Sequence, residues 1–256
     1  MNEALAELLA ASQGFLGEAF VVFLRVGAVM ALMPAFGEQV IPARVRLMLA
    51  FAFTLIVRAG LDPAVIAGAG PYSMRILGEA MIGLLIGIML RLFVLALQTA
   101  GTIIAQSISL SQMFGGTDGQ PQPAVGNVLM LAALAVAVHM GLHVKIAAML
   151  IESYAALPPG RLPDPALVRA WGLSGIRDTF MLAFSIAMPF VLAGLIYNVA
   201  LGAINRAMPQ LMVSFVGAPA LTFGGLVLLA AALPTGVVLW LGHFDQFLAA
   251  PFRVLP

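Results

Sequence analysis

Residues 74–98 read MRILGEAMIGLLIGIMLRLFVLALQ, and this stretch decides the fold. A transmembrane helix needs about 20 mostly apolar residues, and no charge interrupts the run from Ala80 to Leu90. The apolar residues do not keep to one stripe. They surround the axis, as in a helix buried in lipid or among other helices. Gly83 and Gly87 form a Gly-x-x-x-Gly, with Gly78 and Gly101 as further small positions. Small residues let helix backbones approach closely where lipid offers no hydrophobic drive. Apolar character continues beyond Gln98, so the helix is expected to run on through Gly101–Leu110.

Working outward, five more stretches of this kind occur: Phe15–Phe36, Val45–Ala59, Val128–Ile151, Phe180–Ile204 and Leu211–Leu241. The pattern predicts an all-α, membrane-associated chain of six apolar segments. Val45–Ala59 is short and lies between Arg44, Arg46 and Arg58, which suit interface positions. Leu211–Leu241 contains Pro219 and Pro234 with Gly224 and Gly225 between them, which predicts a bend or a split into two half-helices. No run alternates strictly, which argues against a β-barrel. The connectors are Gly37–Arg44, Asp62–Tyr72, Ser111–Asn127, Pro158–Asp178 and Ala207–Gln210. Pro158–Asp178 reads as the longest link. Ala207–Gln210 is short enough to make the last two segments a helical hairpin. Residues 1–256 read as a single helical membrane domain.

The composition agrees. Of 256 residues 62% are hydrophobic and 9% charged, whereas a soluble domain carries about 25% charged residues. Mean hydropathy is +1.07. There is too little polar surface to cover a water-facing globule, and far too much apolar surface for intrinsic disorder. A net charge of +1 provides no field for nucleic acid. The absence of cysteine removes disulfides, thiolate metal sites and thiol nucleophiles. Lys145 is the only lysine and follows Val144, so there is no phosphate-binding Gly-Lys-Ser/Thr loop; no Gly-x-Ser-x-Gly elbow occurs either. A non-enzymatic protein without cofactor is expected.

Seven ionisable residues fall inside apolar stretches: Glu18, Arg25, Glu79, Arg91, His139, His143 and Lys145. A charge at a helix centre costs about 2.5–3.5 kcal/mol on insertion scales, so such residues face protein or water and find partners. Glu18 and Arg25 share a helix face but lie about 10 Å apart along it, which points to partners on other helices or other chains. Structural pairing or snorkelling is the plain expectation for all seven; a proton or substrate path is the alternative. His139 and His143, at i and i+4, are expected on one face of the fourth segment, but no acid stands near to complete a metal site and Lys145 would repel a cation. In the connector after the third segment, Leu110, Ser111, Met113 and Phe114 precede the flexible Gly115–Gly116. A Met-Phe tip on a glycine hinge can close a pore by dewetting; the plain alternative is a surface loop.

Two blocks carry a family resemblance. Arg25-Val-Gly-Ala-Val-Met-Ala-Leu-Met-Pro34-Ala-Phe-Gly37, followed by Ile41-Pro42-Ala-Arg44-Val-Arg46, resembles the N-terminal signature of the FliR family of flagellar export proteins. Tyr197-Asn-Val-Ala-Leu-Gly-Ala-Ile-Asn205-Arg206-Ala-Met-Pro209-Gln210-Leu211, followed by Phe215-Val-Gly217-Ala-Pro219, is similar to its C-terminal signature. Between them, Gly141-Leu-His143 and Glu152-Ser-Tyr154 are similar too, so the resemblance covers nearly the whole chain in order.

The resemblance implies a subunit of the type III export gate in the bacterial inner membrane at the flagellar basal body. Its partners would be FliP and FliQ, also FlhB and FlhA, and unfolded export substrates would pass through. The implied fold is a set of bent helical hairpins packed into a multi-subunit helical assembly around a channel. Leu110–Val125 would help plug that channel, with Met113 and Phe114 as occluding side chains. Asn205, Arg206, Pro209, Gln210, Gly217 and Pro219 would belong to the hairpin that positions two long helices for assembly. The competing reading is an ion-coupled secondary transporter of a small solute, using Glu18, Glu79, Arg91 and His139; no inverted repeat is apparent to support it.

Overall fold

The computed structural model describes residues 2–37, 41–67, 71–109, 124–208 and 213–253, and these are mostly helical with no strand among them. Eight helices follow in order: α1 (Asn2–Leu32), α2 (Ala43–Ala59), α3 (Pro63–Ala67), α4 (Tyr72–Ser109), α5 (Ala124–His139), α6 (Leu142–Ala156), α7 (Pro165–Ala207) and α8 (Val213–Ala249). The third apolar segment indeed continues past Gln98, as α4, for 38 residues. At about 1.5 Å per residue α4 is about 57 Å long, nearly twice the hydrocarbon thickness of a bilayer of about 30 Å.

Among the described residues, four helical stretches are long and apolar enough to cross a membrane: Gly14–Leu32, Tyr72–Ile108, Pro165–Ala207 and Pro219–Ala249. A fifth is possible if α5 and α6 count as one broken span. The expectation of six segments is not confirmed as it stands, and two of the segments differ from it. The second segment is α2, a helix of only 17 residues that includes all three arginines. The fourth is broken at Met140–Gly141, where the chain turns by 77° and Gly141 takes a left-handed φ of +80° that glycine tolerates. Of the bend or split expected in the sixth, the split does not occur: α8 is one helix through Pro219 and Pro234.

The connectors also differ. Most of Pro158–Asp178 is helix, because α7 begins at Pro165. There Asp164 Oδ1 accepts the Ala166 N–H at 2.9 Å. Asp62 does the same for Ala64 at 2.8 Å at the start of α3, inside the expected Asp62–Tyr72 link. Both helices begin with an Asp N-cap followed by Pro, which satisfies one orphan donor and presets φ for the first turn.

The chain forms two compact units. Unit 1 comprises Met1–Leu92, Val138–Gly175 and Asp245–Pro256; unit 2 comprises Phe93–Ala137 and Ile176–Phe244. In unit 1, α2 runs antiparallel to α1: Phe51 stacks on Phe23 with ring centres 4.7 Å apart, and Arg58 reaches Glu18. In unit 2, α7 and α8 form an antiparallel hairpin, as the short link predicts: Tyr197 donates to the Gly217 carbonyl at 2.8 Å, and Gly236 faces Ile186. Many large apolar side chains of α7 and α8 remain exposed, among them Ile196 and Phe223 at about 70%. Faces of this size belong against lipid or other subunits.

Candidate functional site: a buried ion-pair knot and its close helix contacts

The strongest polar constellation lies inside unit 1 and begins with a glycine. A Cβ on Gly83 would stand 2.5 Å from the Arg25 carbonyl and 2.8 Å from the Ala28 Cβ. One turn on, a Cβ on Gly87 would stand 3.0 Å from the Leu32 side chain. Glu79, Gly83 and Gly87 share one face of α4 at i, i+4 and i+8, and they meet Arg25, Ala28 and Leu32 in rising order. The helices α1 and α4 therefore run parallel in close contact, and α2 is the element that brings the chain back between them.

This closeness lets two buried charges meet. Arg25 Nε donates to Glu79 Oε2 at 2.8 Å, and Nη2 donates to Oε1 at 2.7 Å. Both side chains are wholly buried. The forked, bidentate geometry is the strong form of a carboxylate–guanidinium contact. Arg25 Nη1 also donates to Ser153 Oγ at 3.0 Å, and Nη2 to the Leu157 carbonyl at 2.7 Å. Ser153 Oγ in turn donates to the Leu150 carbonyl at 2.6 Å. The Tyr154 ring lies over the guanidinium at 3.8 Å. Three elements, α1, α4 and the end of α6, are thus tied by one arginine whose donors are met by protein atoms. Such satisfaction is what makes a buried charge tolerable.

Two further pairs lie nearer the surface of unit 1. Arg58 Nη2 meets Glu18 Oε2 at 2.6 Å, with its guanidinium 4.1 Å from the Phe15 ring. Lys145 Nζ meets Asp245 Oδ1 at 2.7 Å, joining α6 to the end of α8. Both pairs are partly exposed. Nearby, Trp171 Nε1 donates to the Pro251 carbonyl at 3.0 Å and holds the segment after α8 onto α7.

Unit 2 is packed differently. A Cβ on Gly101 would overlap the Cα and N of Gly126, so α4 and α5 touch backbone to backbone. Gly194 lies against the Ser107 carbonyl, at 2.9 Å from a built Cβ, and Gly225 against the Ile108 side chain. Trp240 Nε1 donates to the Phe93 carbonyl at 2.8 Å within a cluster of Phe93, Trp240 and Phe244.

The family model described as bacterial export proteins, family 1, matches residues 16–247. The chain belongs to this family. Relatives named flagellar biosynthetic protein FliR include that of Caulobacter vibrioides, 32% identical over 90% of this chain and 94% of the relative. The Aquifex aeolicus protein is 30% identical over 92% and 93%, and the Escherichia coli protein 26% over 82% of each.

In this member of family 1, the residues singled out in the sequence fall in several places. Glu18, Arg25, Glu79 and Lys145 meet the partners just described. Arg91 is half-buried. His139 and His143 do not share a helix face: they are exposed on either side of the break, one ending α5 and one opening α6. No group of three metal-ligating side chains occurs among the described residues. Asn205 and Arg206 are exposed in the last turn of α7, and Pro219 is exposed in α8. Gly217 is buried, receives the Tyr197 hydrogen bond and faces Leu201. Leu110, Ser111, Met113, Phe114, Gly115, Gly116, Pro209 and Gln210 lie outside the described residues. The sequence reading missed Arg58, Ser153 and Asp245 as partners. The signal for Ser153 and Tyr154 was available in the Glu152-Ser-Tyr154 block. The Pro34-Ala-Phe-Gly37 part of the N-terminal block is the turn closing α1. Gly37 donates to the Met33 carbonyl at 2.7 Å, in a space that a Cβ would fill.

Proposed function

We propose that this family member is a component of the flagellar protein export apparatus and, more finely, a core subunit of its gate. It would line a protein-conducting channel with FliP and FliQ in the inner membrane at the basal body, with FlhA and FlhB as further partners. The observation that carries this is full-length similarity to proteins named flagellar biosynthetic protein FliR. Physical support comes from the outward faces of α7 and α8, too apolar for water, and from helices far longer than a bilayer requires. A subunit wrapped by others needs such surfaces; a monomeric transporter in lipid does not need helices of 43 residues. The segment Leu110–Val125 contributes to channel closure in this reading, with Met113 and Phe114 as the occluding tip.

Extraction in mild detergent tests the assembly. The tagged chain is expected in a large complex that contains FliP and FliQ. A stable monomer or dimer that binds a small solute would overturn the proposal. Deleting Gln112–Gln122 should leave that complex intact and raise ion leakage through the closed gate. Unchanged permeability in a correctly assembled variant would remove the loop from the closure.

A further inference from the structure

We propose that a polar stripe of α4 in unit 2, formed by Gln98, Thr102 and Gln106, lines the water-filled passage and offers hydrogen bonds to the backbone of an extended polypeptide. The proposal rests on the reading of this chain as a channel subunit and names the side chains that would touch the cargo.

α4 leaves one side uncovered, at positions three, four or seven residues apart. In unit 1 these positions are Leu77, Met81, Leu84 and Ile88, all apolar and 41–53% exposed. In unit 2 the same spacing gives exposed Leu95, half-buried Gln98, and then exposed Thr102 and Gln106. The pattern of exposure stays the same while the chemistry changes. The neighbours of α4 in unit 2 lie elsewhere on it: α5 meets it at Gly101, α7 at Ser107 and α8 at Ile108. The outer positions of α7 and α8 remain apolar, at Leu195, Ile196 and Val199 and at Phe223, Leu226 and Val227. Unit 2 therefore presents one polar stripe and one broad apolar face.

Lipid and apolar neighbours suit the second of these and not the first, because an amide without a partner is costly in hydrocarbon. Thr102 is satisfied within its own helix, donating to the Gln98 carbonyl at 2.9 Å. Gln98 Nε2 reaches the Met130 sulfur, a weak acceptor, at 3.7 Å. Gln106 makes no hydrogen bond among the described residues. A charged partner would find nothing to answer it, since α4 beyond Arg91 and α5 before His139 carry no acid or base. What matches the stripe is a neutral partner that both donates and accepts. Water does so, and so does every peptide unit. Neighbours at i and i+4 rise by about 6 Å along the helix, close to the two-residue repeat of about 6.6 Å in an extended chain. Uncharged side chains that address the backbone accept any cargo sequence and select none.

The chain has no cysteine, so single thiols can be placed without background. Thr102→Cys and Gln106→Cys are compared with Leu195→Cys and Val227→Cys in the assembled complex, held in nanodiscs and treated with a charged, water-soluble methanethiosulfonate. Thiols react as thiolates, which apolar surroundings suppress, so the stripe thiols should react at least about tenfold faster than the other two. An export substrate stalled in the passage by a fused, stably folded domain should abolish that advantage and leave Leu195→Cys and Val227→Cys unchanged. Stripe thiols no faster than Val227→Cys would overturn the proposal. So would stripe thiols that react only once the complex is dissociated, because a neighbouring subunit would then cover them. Undiminished labelling beside a stalled substrate would overturn the contact with cargo. Should Gln106→Cys fail to assemble, Thr102→Cys, nearly isosteric at an exposed site, must still react. A chain that never enters a complex defeats the channel reading and this proposal with it. Inert stripe thiols in an intact complex defeat this proposal alone.

Discussion

Unit 1 and unit 2 face the same physical difficulty and resolve it with different chemistry. Both must hold apolar helices together in surroundings where burying more hydrocarbon yields little. The ion pairs Arg25–Glu79, Arg58–Glu18 and Lys145–Asp245 all lie within unit 1. The charged residues of unit 2 are only Asp118, Arg177, Asp178 and Arg206. Its helices meet instead through glycines, most closely where Gly101 touches Gly126. The two solutions are not independent, because Gly83 in unit 1 supplies the close approach that lets Arg25 reach Glu79. What differs is how each contact fails. A charge left without its partner in a dry interior is costly in itself, whereas a helix pushed away from its neighbour can relax over many contacts.

The largest expected effect tests that difference directly. Glu79→Ala should destabilise the chain by about 3–5 kcal/mol, because it strands the Arg25 guanidinium in a buried site. Replacing both Arg25 and Glu79 by Met should recover most of that loss, since well-packed apolar residues often match a buried ion pair. Thermal unfolding in detergent measures both. The chain has two tryptophans, Trp171 in unit 1 and Trp240 in unit 2. Single-tryptophan variants therefore report on each unit separately, and the Trp171 signal should shift more. Equal loss for the single and the double change would mean that the knot contributes shape and not charge.

A second pair of substitutions probes unit 2. Gly101→Ala places a methyl into the Gly126 backbone, which cannot step aside as a flexible side chain can, and should cost about 1–3 kcal/mol. Gly126→Ala acts on the same helix contact, but its Cβ would meet Gln98 at 3.4 Å, so it should be tolerated to within about 1 kcal/mol, helped by the better helix propensity of alanine. The Trp240 signal checks both. Comparable losses at the two positions would show that the tight contact is not one-sided.

How much of this was legible in the sequence depended on the range of the interaction. The helical class and the long α4 followed from residues 74–98 alone, because exclusion from water acts residue by residue. The Gly83–Gly87 spacing correctly predicted a tight contact, yet which helix it touches is a property of the tertiary structure. Likewise Arg25 and Glu79 announced that they needed partners, but a sequence 54 residues apart offers no reason to choose one another over Arg58 or Arg91. The α7 start was readable: Asp164-Pro165 is an N-cap followed by a preset first turn, and so is Asp62-Pro63. Prolines in a polar stretch nevertheless read more readily as loop. The break at Gly141 was masked by hydropathy, which stays high on both sides of a bend and cannot see a change of direction.

Smaller effects sharpen the comparison further. Tyr197→Phe removes the hydroxyl that donates to Gly217, and with it a side-chain hydrogen bond between α7 and α8. A half-buried neutral hydrogen bond contributes about 0.5–1.5 kcal/mol. The loss should register in the Trp240 signal and leave Trp171 nearly still. A shift of several kcal/mol would mean that this hairpin relies on directed polar contacts as unit 1 does.

The smallest effect is expected at Lys145–Asp245, where both side chains are about one-third exposed. Water and salt screen such a pair, and its contribution should be no more than about 1 kcal/mol. Lys145→Ala should therefore shift the Trp171 transition slightly at low ionic strength and not measurably at high salt, while the Glu79→Ala loss persists at both. The contrast separates two ion pairs of the same length, 2.7 Å, by their surroundings alone. If Lys145→Ala were as damaging as Glu79→Ala, and salt did not reduce its effect, then the end of α8 would be sealed from solvent in the native protein. The cover would have to come from lipid or from a neighbouring subunit that lies over Asp245.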